Sequence, residues 1–255
     1  MSFLSRIFGE RRRVSGRPPS GNGASSFHLW WEVPPSAPLV EVSAVLEVVE
    51  PPTVDRLYFW AMQMTFTRPE GGGAHIGLQH HPKFPGSVAA NWGGYAPGGG
   101  LLAGSPSPLP STPNDPNTRD FPWEPGRRYR LRVVRGESAD DGSTAWRGVI
   151  EDESSGDSVT IRDLYSPGTR IRNPAVWTEA FALCEEPPAA VRWSDLGGVD
   201  EESRVIAAGA GHINYQSFAA GGCSNTSTTV DDRGWTQRTG TPRPNRTGDR
   251  LVLPT

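Results

Sequence analysis

The sequence predicts an all-β fold, and three observations support that prediction. Hydrophobic and polar residues alternate in short runs from Phe27 onward, as in strands that bury one face. Glycine and proline, 30 and 25 residues respectively, together exceed a fifth of the 255-residue chain, which indicates many turns. No stretch shows a convincing 3.6-residue helical periodicity.

The alternating runs define the predicted strands. They are Phe27–Val33, Leu39–Val49, Leu57–Phe66, Ala74–His80, Ser87–Trp92, Arg128–Arg135, Thr144–Glu151, Ser158–Leu164, Val176–Cys184 and Val191–Leu196, with two weaker runs at Val205–Gln216 and Gly234–Thr239. A single open sheet of ten or more strands would expose a hydrophobic face, so we expect two packed sheets. The prediction is an antiparallel two-sheet β-sandwich of the jelly-roll type.

Turn-forming sequences separate these runs. Examples are "VPPSAP", "RPEGGG", "GESADDGS", "DESSGD" and "SPGTRIRNP", in which proline presets φ and glycine permits positive φ. The longest irregular segment, residues 93–126, is long for a compact domain, and such loops are usually functional or disordered.

The chain is expected to form one domain with loose ends. Residues 1–26 begin with a short apolar patch and three arginines and continue as "VSGRPPSGNGASS", the composition of a disordered leader. Residues 27–240 form the predicted sandwich, and residues 241–255 a flexible tail. The apolar patch is too short for a signal peptide, and no apolar run reaches the length of a membrane span. We therefore expect a cytoplasmic protein, with secretion by another route as the alternative.

Composition excludes some partners. The net charge of −3 gives no general field for a polyanion, so we expect no nucleic-acid partner. The two cysteines, Cys184 and Cys223, rule out a disulfide scaffold and a cysteine zinc site. One disulfide between them is possible, but two reduced thiols fit the cytoplasmic location that we expect.

Alternation also predicts a polar outer surface. In "LYFWAMQMTF", Trp60, Met62 and Phe66 face the core, which leaves Gln63 on the other side. If the next strand pairs as a hairpin, His75 and Gln79 join Gln63 there. Sugars bind to flat aromatic rings beside planar amides, and "NWGGY" supplies such groups. The predicted ligand-binding residues are Gln63, His75, Gln79, Asn91, Trp92 and Tyr95, although Trp92 also fits a core position.

Catalytic and metal sites have weaker support. Glu179 and Glu32 lie beside tryptophans on predicted strands and are the weak catalytic candidates, possible as a pair from distant strands. The loop "NDPNTRD" offers weak calcium ligands in Asn114, Asp115, Asn117 and Asp120, although these are also turn residues and Arg119 among them opposes a cation. The histidines lack zinc spacing, so we expect no metal and no cofactor.

Five strings resemble an uncharacterised bacterial family of the concanavalin-A-like lectin and glucanase jelly-roll type. They are "YFWAMQMTF", "GGAHIGLQ", "NTRDFPWEPGRRYRLRV", "WRGVIEDESSGDSVTIRDLY" and "WTEAFALCEEPPAAVRWSDL", within residues 27–196. The resemblance implies a sandwich with a concave face and, by analogy, a glycan surface, without assigning individual residues. We therefore favour a non-catalytic carbohydrate-binding module. The alternatives are a glycoside hydrolase or lyase and a protein-interaction or structural domain.

Overall fold

A computed structural model describes residues 11–34, 36–111 and 115–254, and these residues form an all-β, antiparallel structure. The strands are β1 Ser25–Trp31, β2 Leu39–Glu50, β3 Tyr58–Thr67, β4 Gly72–His80, β5 Val88–Tyr95, β6 Thr118–Asp120, β7 Arg128–Ser138, β8 Thr144–Asp152, β9 Ser158–Ser166, β10 Arg170–Ala180, β11 Ala190–Asp200, β12 Val205–Ala207, β13 Ala210–Tyr215, β14 Thr226–Asp231, β15 Gly234–Thr239 and β16 Arg250–Val252. A 3-10 turn occupies Pro85–Ser87. None of the described residues belongs to a helix long and apolar enough to cross a membrane.

The strands pair in two runs. The first run has the order β13-β1-β10-β3-β4-β5-β6, and the second has the order β14-β15-β11-β2-β7-β8-β9. The runs meet at one residue pair, Ile171 of β10 with Leu39 of β2. Phe66 of β3 stacks on Trp146 of β8 with ring centroids 4.7 Å apart, so side chains of the two runs face each other. This arrangement is consistent with a β-sandwich.

The core lies between the two runs and is rich in tryptophan. Trp60, Trp92, Trp146, Trp193 and Trp235 are all essentially inaccessible to solvent. A buried tryptophan usually has a partner for its indole N–H, and two of these five have one. Trp146 Nε1 donates to the carbonyl oxygen of Gly168 at 3.0 Å, and Trp193 Nε1 donates to Gln237 Oε1 at 3.0 Å.

Every segment that alternation predicted as a strand contains an observed strand, but some of the strand boundaries differ from the prediction. The run Val205–Gln216 is divided into β12 and β13. β10 begins at Arg170, before the predicted start at Val176, because a register shift between Arg172 and Ala175 accommodates Pro174 within the strand. Alternation did not predict β6, β14 or β16; β6 and β16 are short and β14 is a Thr- and Ser-rich run.

The described ends of the chain differ from the expected loose leader and tail. Arg13 N–H donates to Ser224 Oγ at 2.9 Å, and Cys184 N–H donates to the carbonyl oxygen of Gly16 at 2.9 Å. In the tail, β16 pairs with β13, and Tyr215 Oη donates to Asn245 Oδ1 at 2.5 Å. Long-range hydrogen bonds hold these segments, and Leu251 and Leu253 of the tail also pack against the core. Composition alone did not indicate these contacts. Residues 1–10 of the expected leader lie outside the described residues.

The expectation of two reduced thiols was wrong, because Cys184 and Cys223 form a disulfide. Their Cα atoms are 5.6 Å apart although 39 positions separate them in sequence. A bridge requires this proximity, which comes from the fold and cannot be read from two isolated cysteines.

Candidate functional site

Aromatic side chains cross the outer side of the first run, the side that faces away from the core. We name this set the aromatic ribbon; its members are Trp30 and His28 of β1, Trp177 of β10, Phe59 of β3, His75 of β4 and Tyr95 of β5. The ring-centroid distances are 5.8 Å for Trp30–His28, 6.1 Å for His28–Trp177, 4.8 Å for Trp177–Phe59, 5.4 Å for Phe59–His75 and 6.4 Å for His75–Tyr95. The six rings therefore form a continuous chain across five strands.

Strand register explains why these residues share one side. His28 pairs with Trp177, and Trp177 pairs with Ala61 on the next strand. Residues two positions away on each strand point to the same side, which brings Trp30 and Phe59 beside them. The intervening residues, such as Leu29 and Trp60, face the core.

Small residues separate the rings of the ribbon. Ala61, Gly77 and Ala175 lie on this side, and Ala61 and Ala175 are fully buried. A Cβ atom added at Gly77 would lie 2.0 Å from the carbonyl oxygen of Trp60 and 2.7 Å from Ala61 Cα. The close approach of the two strands therefore requires glycine at this position.

Three polar atoms of this face are buried without a hydrogen-bond partner among the described residues. They are Gln79 Oε1, Asn91 Oδ1 and Trp177 Nε1. The other side-chain atom of Asn91, Nδ2, donates to Thr118 Oγ1 at 3.0 Å, which fixes the amide. Such atoms also occur in the core, at Trp92 Nε1 and Trp235 Nε1, so they do not by themselves mark a functional region. Gln63, which pairs with His75, is half-buried nearby.

Both histidines of the ribbon are held in their neutral form. Burial lowers the pKa of His28 to about 4 and the pKa of His75 to about 4. The Asn91 side chain opposes the change at His75, because its Oδ1 atom lies near the imidazole although outside hydrogen-bond geometry. Desolvation penalises the charged imidazolium, and the surrounding rings supply no counter-charge. At neutral pH the ribbon is therefore uncharged along its length.

Glu179 is the carboxylate beside the ribbon. It pairs with Phe59 on β3 and with Ser26 on β1. Its Oε1 accepts hydrogen bonds from Asn22 Nδ2 at 2.7 Å and Ser26 Oγ at 3.1 Å. Burial raises the pKa of Glu179, while these two donors oppose the rise. The carboxyl group is thus biased toward its protonated form.

The structure does not bring Glu32 close to Glu179. Glu32 follows β1, six positions after the Ser26 that pairs with Glu179, a separation of about 20 Å along an extended chain. Glu32 instead binds Arg250 through both oxygens, at 2.7 and 2.6 Å, and its Oε1 lies 2.9 Å from His212 Nε2. The hydrogen bond from Arg250 chiefly lowers the pKa of Glu32, to about 2. These two residues cannot act together on one glycosidic bond.

Trp92 is not available for ligand binding. It is fully buried on the core side of β5, and a Cβ atom at Gly148 of β8 would lie 2.7 Å from its ring. Its neighbour Asn91 faces the outer side, and Tyr95, with 53% of its surface exposed, lies at the open end of the ribbon. Of the two interpretations of Trp92, as a ligand-binding residue or as a core residue, the alternation of side chains along β5 therefore supports the core position.

The predicted calcium ligands are engaged in other interactions. Asp115 Oδ1 accepts the backbone N–H groups of Asn117 at 3.1 Å and Thr118 at 2.9 Å, and Asn117 Oδ1 accepts from Arg162 Nη2 at 2.5 Å. Asp120 lies on β6, and Asn114 is outside the described residues. A guanidinium opposes a cation here, and the described residues contain no group of three or more His, Cys, Asp or Glu side chains suited to a metal.

The sequence predicted part of this face. It placed Gln63, His75 and Gln79 on the outer side, where the structure has them, although Gln79 is only 5% exposed, and it offered Asn91 and Tyr95 as ligand-binding candidates. It missed the roles of Phe59, Trp177, His28 and Trp30. The signal was present, because "SSFHLWW" alternates and sets His28 and Trp30 opposite the core residues Phe27 and Leu29.

Together, the fold and this face define an all-β antiparallel protein with an aromatic-lined outer sheet surface. No family model and no curated protein matches the sequence.

The structure is similar to several solved structures of peptidases. Scytalido-glutamic peptidase with a peptide-based transition state analog has a TM-score of 0.45 and 13% identity, over 84% of this chain and 97% of that one. The same peptidase with a transition state analog inhibitor gives 0.47 and 12% over the same shares. SCP-B, a member of the Eqolisin family of peptidases in complex with the tripeptide Ala-Ile-His, gives 0.42 and 10%, over 84% and 98%.

Proposed function

We propose that the aromatic ribbon binds an extended carbohydrate chain without cleaving it, on a sandwich of the concanavalin-A-like jelly-roll type. The observation that carries the proposal is the unbroken chain of six rings across five strands, with planar amides beside it. A pyranose presents apolar C–H patches edged by hydroxyl groups, and ring faces with neighbouring amides complement both features.

The length and neutrality of the ribbon favour an uncharged polymer. Five strands spaced about 4.8 Å apart give the ribbon a width of about 20 Å, enough for several sugar units. The ribbon histidines are neutral because burial lowers the pKa of each to about 4. A neutral ligand therefore meets no unbalanced charge between Trp30 and Tyr95.

Isothermal titration with a panel of neutral oligosaccharides tests this proposal. The Trp30→Ala variant removes a half-buried ring at one end of the ribbon, and Tyr95→Ala removes the exposed ring at the other. Tyr165→Ala, on β9 of the second run, is the matched control. Loss of binding in both ribbon variants, with binding retained in the control, is the expected result. Equal binding by all three variants would contradict the proposal.

Hydrolysis is the second candidate, favoured by the environment of Glu179. Its raised pKa suits a proton donor, because a general acid must hold its proton near the working pH. A glycosidase of the usual kind needs a second carboxylate about 5–10 Å away, and Glu32 does not provide it. Reducing-sugar release by the wild type that Glu179→Gln abolishes would favour hydrolysis. Release that survives this substitution would exclude Glu179 as the acid.

A further inference from the structure

Two buried arginines lie near the edge strands of the fold, away from the aromatic ribbon. Arg119 belongs to β6 and is 7% exposed, and Arg162 belongs to β9 and is 6% exposed. A guanidinium stays charged at any ordinary pH, so burying it without a counter-charge is costly.

The hydrogen bonds of these arginines use neutral acceptors. Arg119 Nη1 donates to the carbonyl oxygens of Asp115 at 3.2 Å and Thr118 at 3.1 Å. Arg162 Nη2 donates to the carbonyl oxygen of Trp92 at 3.2 Å and to Asn117 Oδ1 at 2.5 Å. The Nε atom of each guanidinium is buried and has no hydrogen-bond partner among the described residues.

The charge of the pair is also poorly balanced. The pKa of Arg162 is lowered chiefly by burial and also by the nearby charge of Arg119. Burial lowers the pKa of Arg119 as well, and the charge of Asp115 opposes the change at both arginines. Yet the Oδ1 atom of Asp115 accepts two backbone N–H groups, and neither arginine joins an ion pair within the described parts of the chain. Residues 112–114 contain no acidic side chain.

We propose that Arg119 and Arg162 together bind an oxyanion of the sulfate or phosphate type. Such an anion accepts charge-assisted hydrogen bonds from guanidinium N–H groups and supplies the missing negative charge. The two unpartnered Nε–H donors are the groups that it would engage. The anion is either free in solution or an ester group of a larger ligand. This site goes beyond the proposed carbohydrate face and does not depend on it.

Nuclear magnetic resonance of the arginine Nε–Hε groups tests the site in the wild-type protein. Titration with sodium sulfate at constant ionic strength is compared with sodium chloride. We expect two Nε–Hε signals to shift with a saturable dependence on sulfate only. Arg119→Lys and Arg162→Lys, each of which keeps the positive charge, assign the two signals. Signals that do not move, or that follow chloride equally, would overturn the proposal without requiring any variant to fold.

Thermal unfolding provides a second readout with a charge-matched control. Sulfate should raise the Tm of the wild type saturably, because a ligand that binds only the folded state stabilises it. Arg162→Gln should lose this response. Arg147→Gln, which removes an exposed arginine paired with Asp163, should keep it. A response retained by Arg162→Gln would overturn the proposal.

Competition distinguishes the two sources of the anion. A sulfated or phosphorylated oligosaccharide that displaces sulfate from both Nε–Hε groups assigns the site to an ester on a larger ligand. An oligosaccharide that leaves the sulfate-bound signals unchanged assigns it to a free anion. Failure of neutral oligosaccharides to bind the ribbon would not affect either result.

Discussion

Trp177 and Phe59 meet edge to face on the outer side of the sheet, with ring centroids 4.8 Å apart and an interplanar angle of 72°. They are 7% and 6% exposed although they face away from the main core, and with Ala61 they form a separate hydrophobic cluster. Edge-to-face pairs contribute about 0.5–1.5 kcal/mol beyond the area that they bury. The pair therefore forms a small packed cluster beneath the proposed ligand face, which is more accessible at Trp30 and Tyr95.

Removing one outer ring should weaken ligand binding without unfolding the protein. We expect Tyr95→Ala to lower oligosaccharide affinity by about tenfold, since an anchoring interface residue contributes more than about 1 kcal/mol. Tyr95 is 53% exposed, so its loss leaves the core intact. Titration calorimetry measures the affinity, and circular dichroism confirms the fold. Unchanged affinity in a folded variant would exclude Tyr95 from the site.

Replacing Glu179 by glutamine should stabilise the protein at neutral pH. Burial raises the pKa of Glu179 above its ordinary value of 4.5. The protonated carboxyl group therefore contributes its full stabilisation of the fold below pH 4.5, and this stabilisation is lost as the pH rises through the pKa of the folded state. Glutamine keeps an oxygen for Asn22 and Ser26 but carries no charge.

Urea unfolding at a series of pH values measures this difference. The advantage of Glu179→Gln should shrink as pH falls below 4.5. A variant less stable than the wild type at neutral pH and equally stable in acid would contradict the raised pKa.

The two ribbon histidines should make the protein acid-sensitive. The pKa of each is lowered from 6.5 to about 4, so the unfolded chain binds more protons between these values. The stability that they contribute is full above pH 6.5 and is lost as pH falls toward 4.

The variants His28→Gln and His75→Gln separate this effect from general acid denaturation. Each should flatten the fall in unfolding free energy over that range, because burial lowers the pKa of both histidines. A slope in His75→Gln identical to that of the wild type would show that His75 is not held neutral.

Loss of the disulfide should destabilise the fold. The bridge joins residues 39 positions apart, and constraining such a loop stabilises a protein by about 2–4 kcal/mol. We expect reduction, or the double variant with Cys184→Ser and Cys223→Ser, to lower the unfolding free energy by this amount. Reductant should not affect the double variant. Labelling of two free thiols in the unfolded, unreduced protein would contradict the bridge.

The disulfide also bears on the expected cellular location. Structural disulfides persist in oxidising compartments and are rare in the cytosol. The cytoplasmic location stays a prediction, which the bridge between Cys184 and Cys223 does not by itself test.

A side chain at Gly77 should separate the strands beneath the ribbon. Gly77→Ala would place a Cβ atom 2.0 Å from the carbonyl oxygen of Trp60, so we expect a loss of at least about 2 kcal/mol in unfolding free energy. Gly136→Ala is the control, because its Cβ would lie no closer than 3.4 Å to any neighbour. Chemical denaturation that shows equal stability for the two variants would contradict this close approach.

Local patterns predicted the strands well and the site only in part. Alternation placed Trp60, Met62 and Phe66 in the core and Gln63 outside, because side-chain direction in a strand depends only on position parity. It could not show that β10 lies between β1 and β3, which brings Trp177 beside Phe59 and His28. Pairing between distant strands depends on the whole fold, and the same limit concealed the disulfide and the burial of Arg162.

The indole N–H signals of the tryptophans provide the most direct test of the aromatic ribbon as a ligand face. Trp177 Nε1 has no hydrogen-bond partner among the described residues, whereas Trp193 Nε1 in the core donates to Gln237. During titration with neutral oligosaccharides, we expect the indole signals of Trp30 and Trp177 to shift and the signal of Trp193 to stay constant. Constant signals for Trp30 and Trp177 across the whole panel would contradict this expectation.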